Sequence, residues 1–365
     1  MTRIVVVGAT GNVGTAVVRR LAAEPDVQVV GVARRLPDVH TAPYGDAVWH
    51  AVDVGASDAV DQLAAVFRGA DAVIHLAWAL QPTHDIPVQY RTNVTGTANV
   101  LAAVARVSVP QVVVASSVGT YRGVDAAGKR LRVDESWPVD GIPTATYSIH
   151  KAENERAMDA FAQANPDVVV TRLRPGLIFQ RAAAAEIRGL FLGPLVPMRI
   201  VRWVQWAVLP LPYPFVFQAV HADDVADAYW RAVDRRAAGA FNIAAAPVLT
   251  PPRIAAVLGM RGAVRIPLRL LRGLVTLTWR LRIQPTDAGW IDIAASVPIM
   301  RTDRARTELG WEARHTSEDA LRDLVSGFAD GANVEGSGPL RGERSVGGAG
   351  CGRAGRFARR GSNRA

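Results

Sequence analysis

Cysteine is nearly absent, with Cys351 the only one in 365 residues. A lone thiol closes no intramolecular disulfide, and no Cys/His cluster has the spacing of metal ligands. A disulfide-stapled or zinc-built fold is therefore excluded, and no metal is expected. That usage suits a reducing, cytoplasmic setting. No basic start leads into a cleavable apolar run, because a strand pattern already begins at Ile4, so no signal peptide is expected. Trp203 to Val220 carries no formal charge and is long enough to raise the question of a membrane span. Pro210, Pro212 and Pro214 would break such a helix repeatedly in lipid, so the stretch is read as an apolar loop with a short strand.

Lysine is almost as scarce. Of 42 basic residues only Lys129 and Lys151 are lysines, which makes each a candidate for a position that needs a compact point charge. The net charge of +9 is unevenly spread: from Gly331 onward seven arginines face two glutamates, leaving +4 for the body of the chain. That body has no basic patch interleaved with aromatics, so no nucleic-acid partner is expected. The length and the 49% hydrophobic content allow one large or two smaller globular domains.

What is present from the start is a strand pattern, Ile4 to Val7, running into Gly8-Ala9-Thr10-Gly11-Asn12-Val13-Gly14 and then a helical pattern to Leu21. Gly8 permits the tight exit from the strand, Gly11 lets the backbone close on a pyrophosphate, and Gly14 lets the helix pack on the sheet. The helix start adds free N–H groups and the positive end of its dipole. This context of strand before and helix after marks a dinucleotide cradle.

Strand and helix continue to alternate, the pattern of a doubly wound parallel sheet. The second strand, Val27 to Ala33, ends in Arg34-Arg35 where an NAD site would carry an acid, which favours NADP over NAD. A third strand near Val48 to Val52 leads to Asp53-Val54, where strand ends face the adenine. The fourth, Ala72 to Ala77, contains His75, which has no identifiable partner and is read as structural. A helix from Val88 to Arg106 carries Asn93, Gly96 and Asn99, poor helix formers whose presence propensity does not explain. Strand five, Gln111 to Ala115, ends in Ser116-Ser117; Tyr147 to Lys151 opens a long helix; strand six, Val168 to Leu173, ends in Arg174-Pro175-Gly176.

Beyond residue 181 the pattern becomes irregular and rich in Leu, Pro and Trp, with short helices at Asp223 to Arg235 and Thr250 to Leu258 and a strand at Ala240 to Ala244. From Leu268 to Ile283, Arg269, Arg272 and Arg280 lie opposite Leu270, Leu271, Leu274 and Leu281. This predicts an amphipathic helix with a solvated arginine edge, and leaves peripheral contact with an anionic membrane as the alternative. A last helix spans Ser317 to Phe328. Residues 331–365, glycine and arginine with few apolar anchors, are expected to be disordered, with RNA binding the minor alternative.

Tyr147 and Lys151 are four residues apart and share a helix face. A tyrosine with a solution pKa of ~10 needs about 4 kcal/mol of differential stabilisation to act as a base near pH 7. A nearby ammonium and a cationic nicotinamide provide it. Tyr147 would then exchange a proton with a substrate hydroxyl or carbonyl while hydride passes to or from the nicotinamide. Ser117, at the end of an adjacent strand, is placed to hold the same substrate oxygen.

With these residues the chain resembles the extended short-chain dehydrogenase/reductases, also called the NAD-dependent epimerase/dehydratase family. The resemblance rests on Gly8 to Gly14, Asp53-Val54, His75-Leu76-Ala77, Asn93 to Leu101, Ser116-Ser117, Tyr147 to Lys151, Arg174-Pro175-Gly176, His221 to Ala226 and Leu309-Gly310-Trp311, over about residues 3 to 328. It implies a Rossmann-type α/β doubly wound sheet over residues 1–180, completed by parts of 216–245. A smaller C-terminal α/β region, 181–330, would bind substrate. It also implies Ser117 rather than Ser116 as the catalytic serine, four before Tyr121. Tyr147 becomes the acid/base, Lys151 also holds the nicotinamide ribose, and Asn93 supports the site and its proton relay. Cofactor contacts are implied at Gly8, Thr10, Gly11, Asn12, Val13, Gly14, Arg34, Arg35, Asp53, Val54, Leu76, Ala77, Lys151 and Pro175. Related enzymes often pair, so a homodimer is compatible with the resemblance.

The chain departs from the sugar-nucleotide members after Pro175-Gly176, where Leu177-Ile178-Phe179-Gln180-Arg181 replaces their Asn-x-Tyr-Gly-Pro. Neither residues that grip a nucleotide diphosphate nor a dehydratase's acids beside the tyrosine are evident. The leading expectation is an NAD(P)-dependent oxidoreductase that interconverts a carbonyl and a secondary alcohol on a small, rather apolar substrate. The alternatives are a sugar-nucleotide epimerase and a non-catalytic NADP-sensing or scaffold protein.

Overall fold

A computed structural model describes residues 1–80, 84–192 and 207–341. Seven strands form one sheet: β1 (Thr2–Val7), β2 (Val27–Ala33), β3 (Val48–Ala51), β4 (Ala72–His75), β5 (Gln111–Ala115), β6 (Val169–Pro175) and β7 (Gly239–Ile243). Their order is β7-β6-β5-β4-β1-β2-β3, and every pairing is parallel. β1 pairs with β2 on one side (Val5 opposite Val30) and with β4 on the other (Val5 opposite Val73). The chain thus winds outward in both directions from β1 and β4, and ligands in such sheets bind at the carboxyl edge of that switch point.

Both faces are covered, which is why the strands read as unbroken apolar runs: Ile4, Val5, Val6 and Val7 are all at most 1% exposed. On one face α1 (Asn12–Ala22) and the helix Ala222–Asp234 bury Val17, Leu21, Val225 and Tyr229. On the other, α2 (Ala59–Phe67) and α4 (Gly96–Arg106) bury Leu63, Phe67, Val100 and Val104. The predicted helix from Val88 to Arg106 is three pieces: α3 (Ile86–Tyr90), a π-turn (Arg91–Thr95) and α4. α5 (Thr146–Ala164) follows β5 and precedes β6.

After β6 the chain forms two short parallel pairs, Leu177–Phe179 with Ala219–His221 and Val208–Leu211 with Gly262–Arg265. Residues 203–206 of the proline-rich apolar stretch, and the rest of 193–206, lie outside the described residues. The helix Ser317–Asp330 starts in a capping box between Thr316 and Asp319. Trp311, 2% exposed, donates its indole N–H to the Asp224 carbonyl at 2.7 Å, so the motif before this helix is locked onto the helix Ala222–Asp234. Among the described residues no helix is long and apolar enough to cross a membrane.

The helix Leu268–Arg280 forms with Arg269, Arg272 and Arg280 exposed, Arg272 pairing with the Asp292 carboxylate at 2.9 Å; Leu270, Leu274 and Leu277 are each more than half exposed too. One expectation changes: the disorder expected from Gly331 onward fails over 331–341. There Leu340 is fully buried, the Ser337 hydroxyl donates to the Thr10 carbonyl at 2.7 Å, and Val334 packs on the core. Two apolar residues and one hydroxyl, too few to register in composition, anchor that segment. Residues 342–365, Cys351 among them, lie outside the described residues.

Candidate active site

The first turn has the geometry of a cradle. Gly8 has φ +87°, and a Cβ there would fall 2.5 Å from the Ala77 nitrogen. A Cβ on Gly14 would fall 2.2 Å from the Gly8 carbonyl oxygen. Both glycines are demanded by the protein's own packing. Gly11 is different, because its Cβ would meet only the Gly8 oxygen at 3.6 Å, an ordinary contact. Nothing in the chain requires glycine there, while a ligand drawn against the backbone would. Gly11 is the N-cap of α1 and supplies no side-chain cap, and the helix has no acid in its first turn. Its N-terminal dipole is therefore left for an external anion, which fits a pyrophosphate.

Asn12 is fixed by a residue outside the predicted set: Gln180 donates to its carbonyl at 2.8 Å and to its side-chain oxygen at 2.6 Å. Gln180 lies just past Pro175-Gly176, where the chain leaves the sugar-nucleotide pattern. Thr10 is buried and Val13 packs on the core. Arg34 and Arg35 are both exposed at the end of β2, and neither forms an ion pair among the described residues. Asp53 accepts from the Gly55 amide at 3.0 Å and faces Arg91 at 3.4 Å. Val54 is buried, its carbonyl accepting from Asn99 at 2.8 Å. Leu76 donates its amide to the Val7 carbonyl at 2.7 Å, which seats Ala77 against Gly8. Pro175 closes β6 beside Ile243 of β7.

The poor helix formers now have reasons. A Cβ on Gly96 would fall 2.6 Å from Val54 Cγ2, so only glycine admits that approach. Asn93 lies in the π-turn, 2% exposed. It accepts from the Ala79 amide at 2.7 Å and donates to the Ala79 carbonyl at 3.2 Å. Its own carbonyl accepts from Thr97 at 2.7 Å and Asn154 at 2.8 Å. The widened turn thus aims an amide at the loop after β4, a common use of π-bulges. His75 is buried and shares a 3.0 Å hydrogen bond with Thr97; burial, with help from the Lys151 charge, lowers its pKa to about 3, so it is neutral.

β5 and α5 bring three predicted residues together. The Ser117 hydroxyl accepts from the Gly119 amide at 3.0 Å, and the Tyr147 ring lies against the same glycine, where an added Cβ would fall 3.0 Å from Tyr147 Cε1 and 3.4 Å from Ser117 Oγ. Lys151 Nζ donates to the Ala115 carbonyl at 2.7 Å and sits 5.9 Å from the Tyr147 ring centroid. Burial pushes the phenol up to about 12, with the Ser117 bond opposing. Burial also pulls the Lys151 ammonium down to about 7, with the Glu155 carboxylate opposing. The phenol is therefore protonated at neutral pH, and lowering its pKa would take additional positive charge nearby.

Sequence reasoning missed the walls of this site. The Trp78 ring lies 3.6 Å over Lys151 Nζ and meets Tyr147 edge-on at 5.6 Å, while Trp290 approaches Tyr147 from another side at 5.0 Å. It also missed the support beneath. Ser116, the serine not chosen, donates to Glu155 at 2.6 Å. Glu155, fully buried, takes both Nε (2.8 Å) and a terminal nitrogen (3.0 Å) of Arg174. Arg174 in turn donates to Tyr121 at 3.0 Å, whose hydroxyl donates to Asn242 at 2.6 Å. Glu155 stands four residues after Lys151, so helix spacing alone would have found it. Among the described residues no group of three or more His, Cys, Asp or Glu is placed to hold a metal.

A doubly wound sheet with a glycine cradle at its switch point and a tyrosine and lysine at the same edge defines a dinucleotide-binding fold of the dehydrogenase type. The chain belongs to the NAD dependent epimerase/dehydratase family, whose model matches residues 4–244. It is 28% identical over 326 residues to an uncharacterised protein of Mycobacterium tuberculosis, the alignment taking in 88% of this chain and 30% of that one. The chain thus spans less than a third of that relative's length. It is 36% identical over 214 residues to the L-arabinose 1-dehydrogenase (NAD(P)(+)) of Haloferax volcanii, covering 53% of this chain and 78% of the enzyme. In three dimensions it resembles the Thermus thermophilus UDP-glucose 4-epimerase solved in complex with NAD, with a TM-score of 0.65, 20% identity and coverage of 90% of this chain and 99% of that one.

Proposed function

We propose that the chain is an NADP(H)-dependent oxidoreductase that interconverts a carbonyl and a secondary alcohol on a compact, largely apolar substrate. The observation that carries this reading is that Ser117 and Tyr147 come together around Gly119, where an added Cβ would fall 3.4 Å from Ser117 Oγ and 3.0 Å from Tyr147 Cε1, with Lys151 one helical turn on, at the sheet edge that holds the Gly8–Gly14 cradle. Gly11 and the uncapped start of α1 would take the pyrophosphate, Asp53 and Val54 would border the adenine, and Arg34 and Arg35 would meet a 2′-phosphate. The bound nicotinamide would supply the acceptor or donor of hydride.

The chain's own groups do the rest. Ser117 Oγ and Tyr147 Oη converge on one substrate oxygen. In reduction the phenol gives its proton to the developing alkoxide; in oxidation the phenolate takes the hydroxyl proton. The ammonium of Lys151 stabilises the phenolate, and Asn93, by holding Ala79, keeps the loop that carries Trp78 over Lys151. Trp78 and Trp290 offer ring faces and edges beside Tyr147, which favour a flat or hydrocarbon-rich substrate and displace water from the proton-transfer site.

The test is net turnover. The purified protein, dialysed free of nucleotide, is given NADPH and a panel of aryl and alicyclic ketones. Consumption of NADPH with formation of the alcohol is expected. A nucleotide that stays bound through dialysis, with no net turnover, would favour epimerisation of a sugar nucleotide instead.

A further inference from the structure

The segment 332–341 docks where no part of a dinucleotide fold requires it. It folds on itself, with the Val334 amide donating to the Leu340 carbonyl at 3.1 Å and the Ser337 amide to the Val334 carbonyl at 3.0 Å. Its contacts then reach two separate elements of the proposed coenzyme site. The Ser337 hydroxyl donates to the carbonyl of Thr10, inside the glycine turn, at 2.7 Å and lies near the buried phenol of Tyr44. That phenol shares a 2.8 Å hydrogen bond with Thr15 of α1. The Gly336 carbonyl accepts from the Asp38 amide at 3.0 Å, in the loop that leaves β2 just after Arg35. Gly338 passes near the Arg35 side chain, since a Cβ added there would be 3.7 Å from Arg35 Nε.

One short segment therefore ties the pyrophosphate turn to the loop carrying the two arginines. The fit is close, because a Cβ on Gly336 would fall 1.8 Å from Thr41 Oγ1 and 3.2 Å from the Asp38 carbonyl oxygen. We propose that residues 332–341 form the outer wall of the coenzyme site at its β1–β2 end, with Ser337 positioning the glycine turn and the Gly336 carbonyl, through the Asp38 amide, positioning the loop that carries Arg34 and Arg35 for a 2′-phosphorylated dinucleotide. This rests on the coenzyme reading above. Because the segment touches both elements, its docking and NADPH binding strengthen each other by the same factor.

The experiment compares wild type, Gly336→Val and Ser337→Ala, each checked by thermal unfolding, for the Kd of NADPH and of NADH and for amide exchange of 334–340 with and without NADPH. In wild type NADPH slows exchange of those amides. Gly336→Val, which cannot seat the segment, raises the Kd for NADPH about tenfold or more. It raises that for NADH less, so discrimination between the two falls. Ser337→Ala, which removes one hydroxyl and keeps the backbone, shifts the NADPH Kd in the same direction by about fivefold. Unchanged or tighter NADPH binding in both variants, or exchange indifferent to NADPH, overturns the wall while leaving the coenzyme reading intact. A wild type that binds neither dinucleotide overturns both.

Discussion

The two ends of the sheet's carboxyl edge are built in opposite ways. At β1 and β2 the site is backbone and empty space: a glycine turn, an uncapped helix start and two exposed arginines. At β4, β5 and α5 it is side chains, nearly all buried and engaged: Lys151 on the Ala115 carbonyl, Ser117 on the Gly119 amide, Asn93 on Ala79, Ser116 on Glu155. The first end is shaped to receive charge from a ligand, so its binding depends on a few exposed contacts. The second holds its charges in low dielectric, where removing one partner strands another.

That contrast can be broken most severely at Tyr147. Tyr147→Phe removes the proposed proton donor and keeps the ring between Trp78 and Trp290. Turnover should fall about 10²- to 10⁴-fold, while the Kd for NADPH stays within about threefold of wild type, measured by steady-state rates and fluorescence titration. Next is the support. Glu155→Ala leaves the Arg174 guanidinium buried and unpaired and should cost about 3–5 kcal/mol of stability, read by urea unfolding. The open end should respond differently. The double variant Arg34→Ala/Arg35→Ala is expected to raise the Kd for NADPH about 10- to 100-fold, with NADH binding and stability little changed. A large loss of stability in that variant would erase the distinction between the ends.

The gentlest probe is pH. The Lys151 pKa is lowered by burial to about 7 in the folded chain, against ~10.4 when unfolded. Between those values the unfolded chain binds more protons, so this group's contribution to stability is lowest below pH ~7 and rises toward pH ~10.4. Lys151→Met, uncharged throughout, should flatten that rise in urea unfolding followed from pH 6.5 to 9.5.

The difference between the ends also sets what sequence reasoning reaches. The glycine turn is visible in a linear string because three backbone positions close together in sequence make it, and buried parallel strands advertise themselves as apolar runs. Tyr147 and Lys151 are visible because one helix carries both. Trp78, Trp290 and Gln180 are not, since they meet the site from three separate loops and helices. The π-turn at Asn93 shows only as an oddity of propensity, explained once Val54 and Ala79 are seen beside it. The segment around Ser337 is hidden for a further reason: among so many glycines and arginines, a single buried leucine does not stand out.

The central claim is proton transfer by Tyr147 coupled to nicotinamide redox chemistry. Its most direct test is a single-turnover experiment with NADPH and a ketone that the wild type reduces, run in parallel on wild type and Tyr147→Phe at saturating coenzyme. The account predicts one equivalent of alcohol per NADPH consumed in wild type, and binding without reduction in the variant. Equal rates in the two proteins would contradict it.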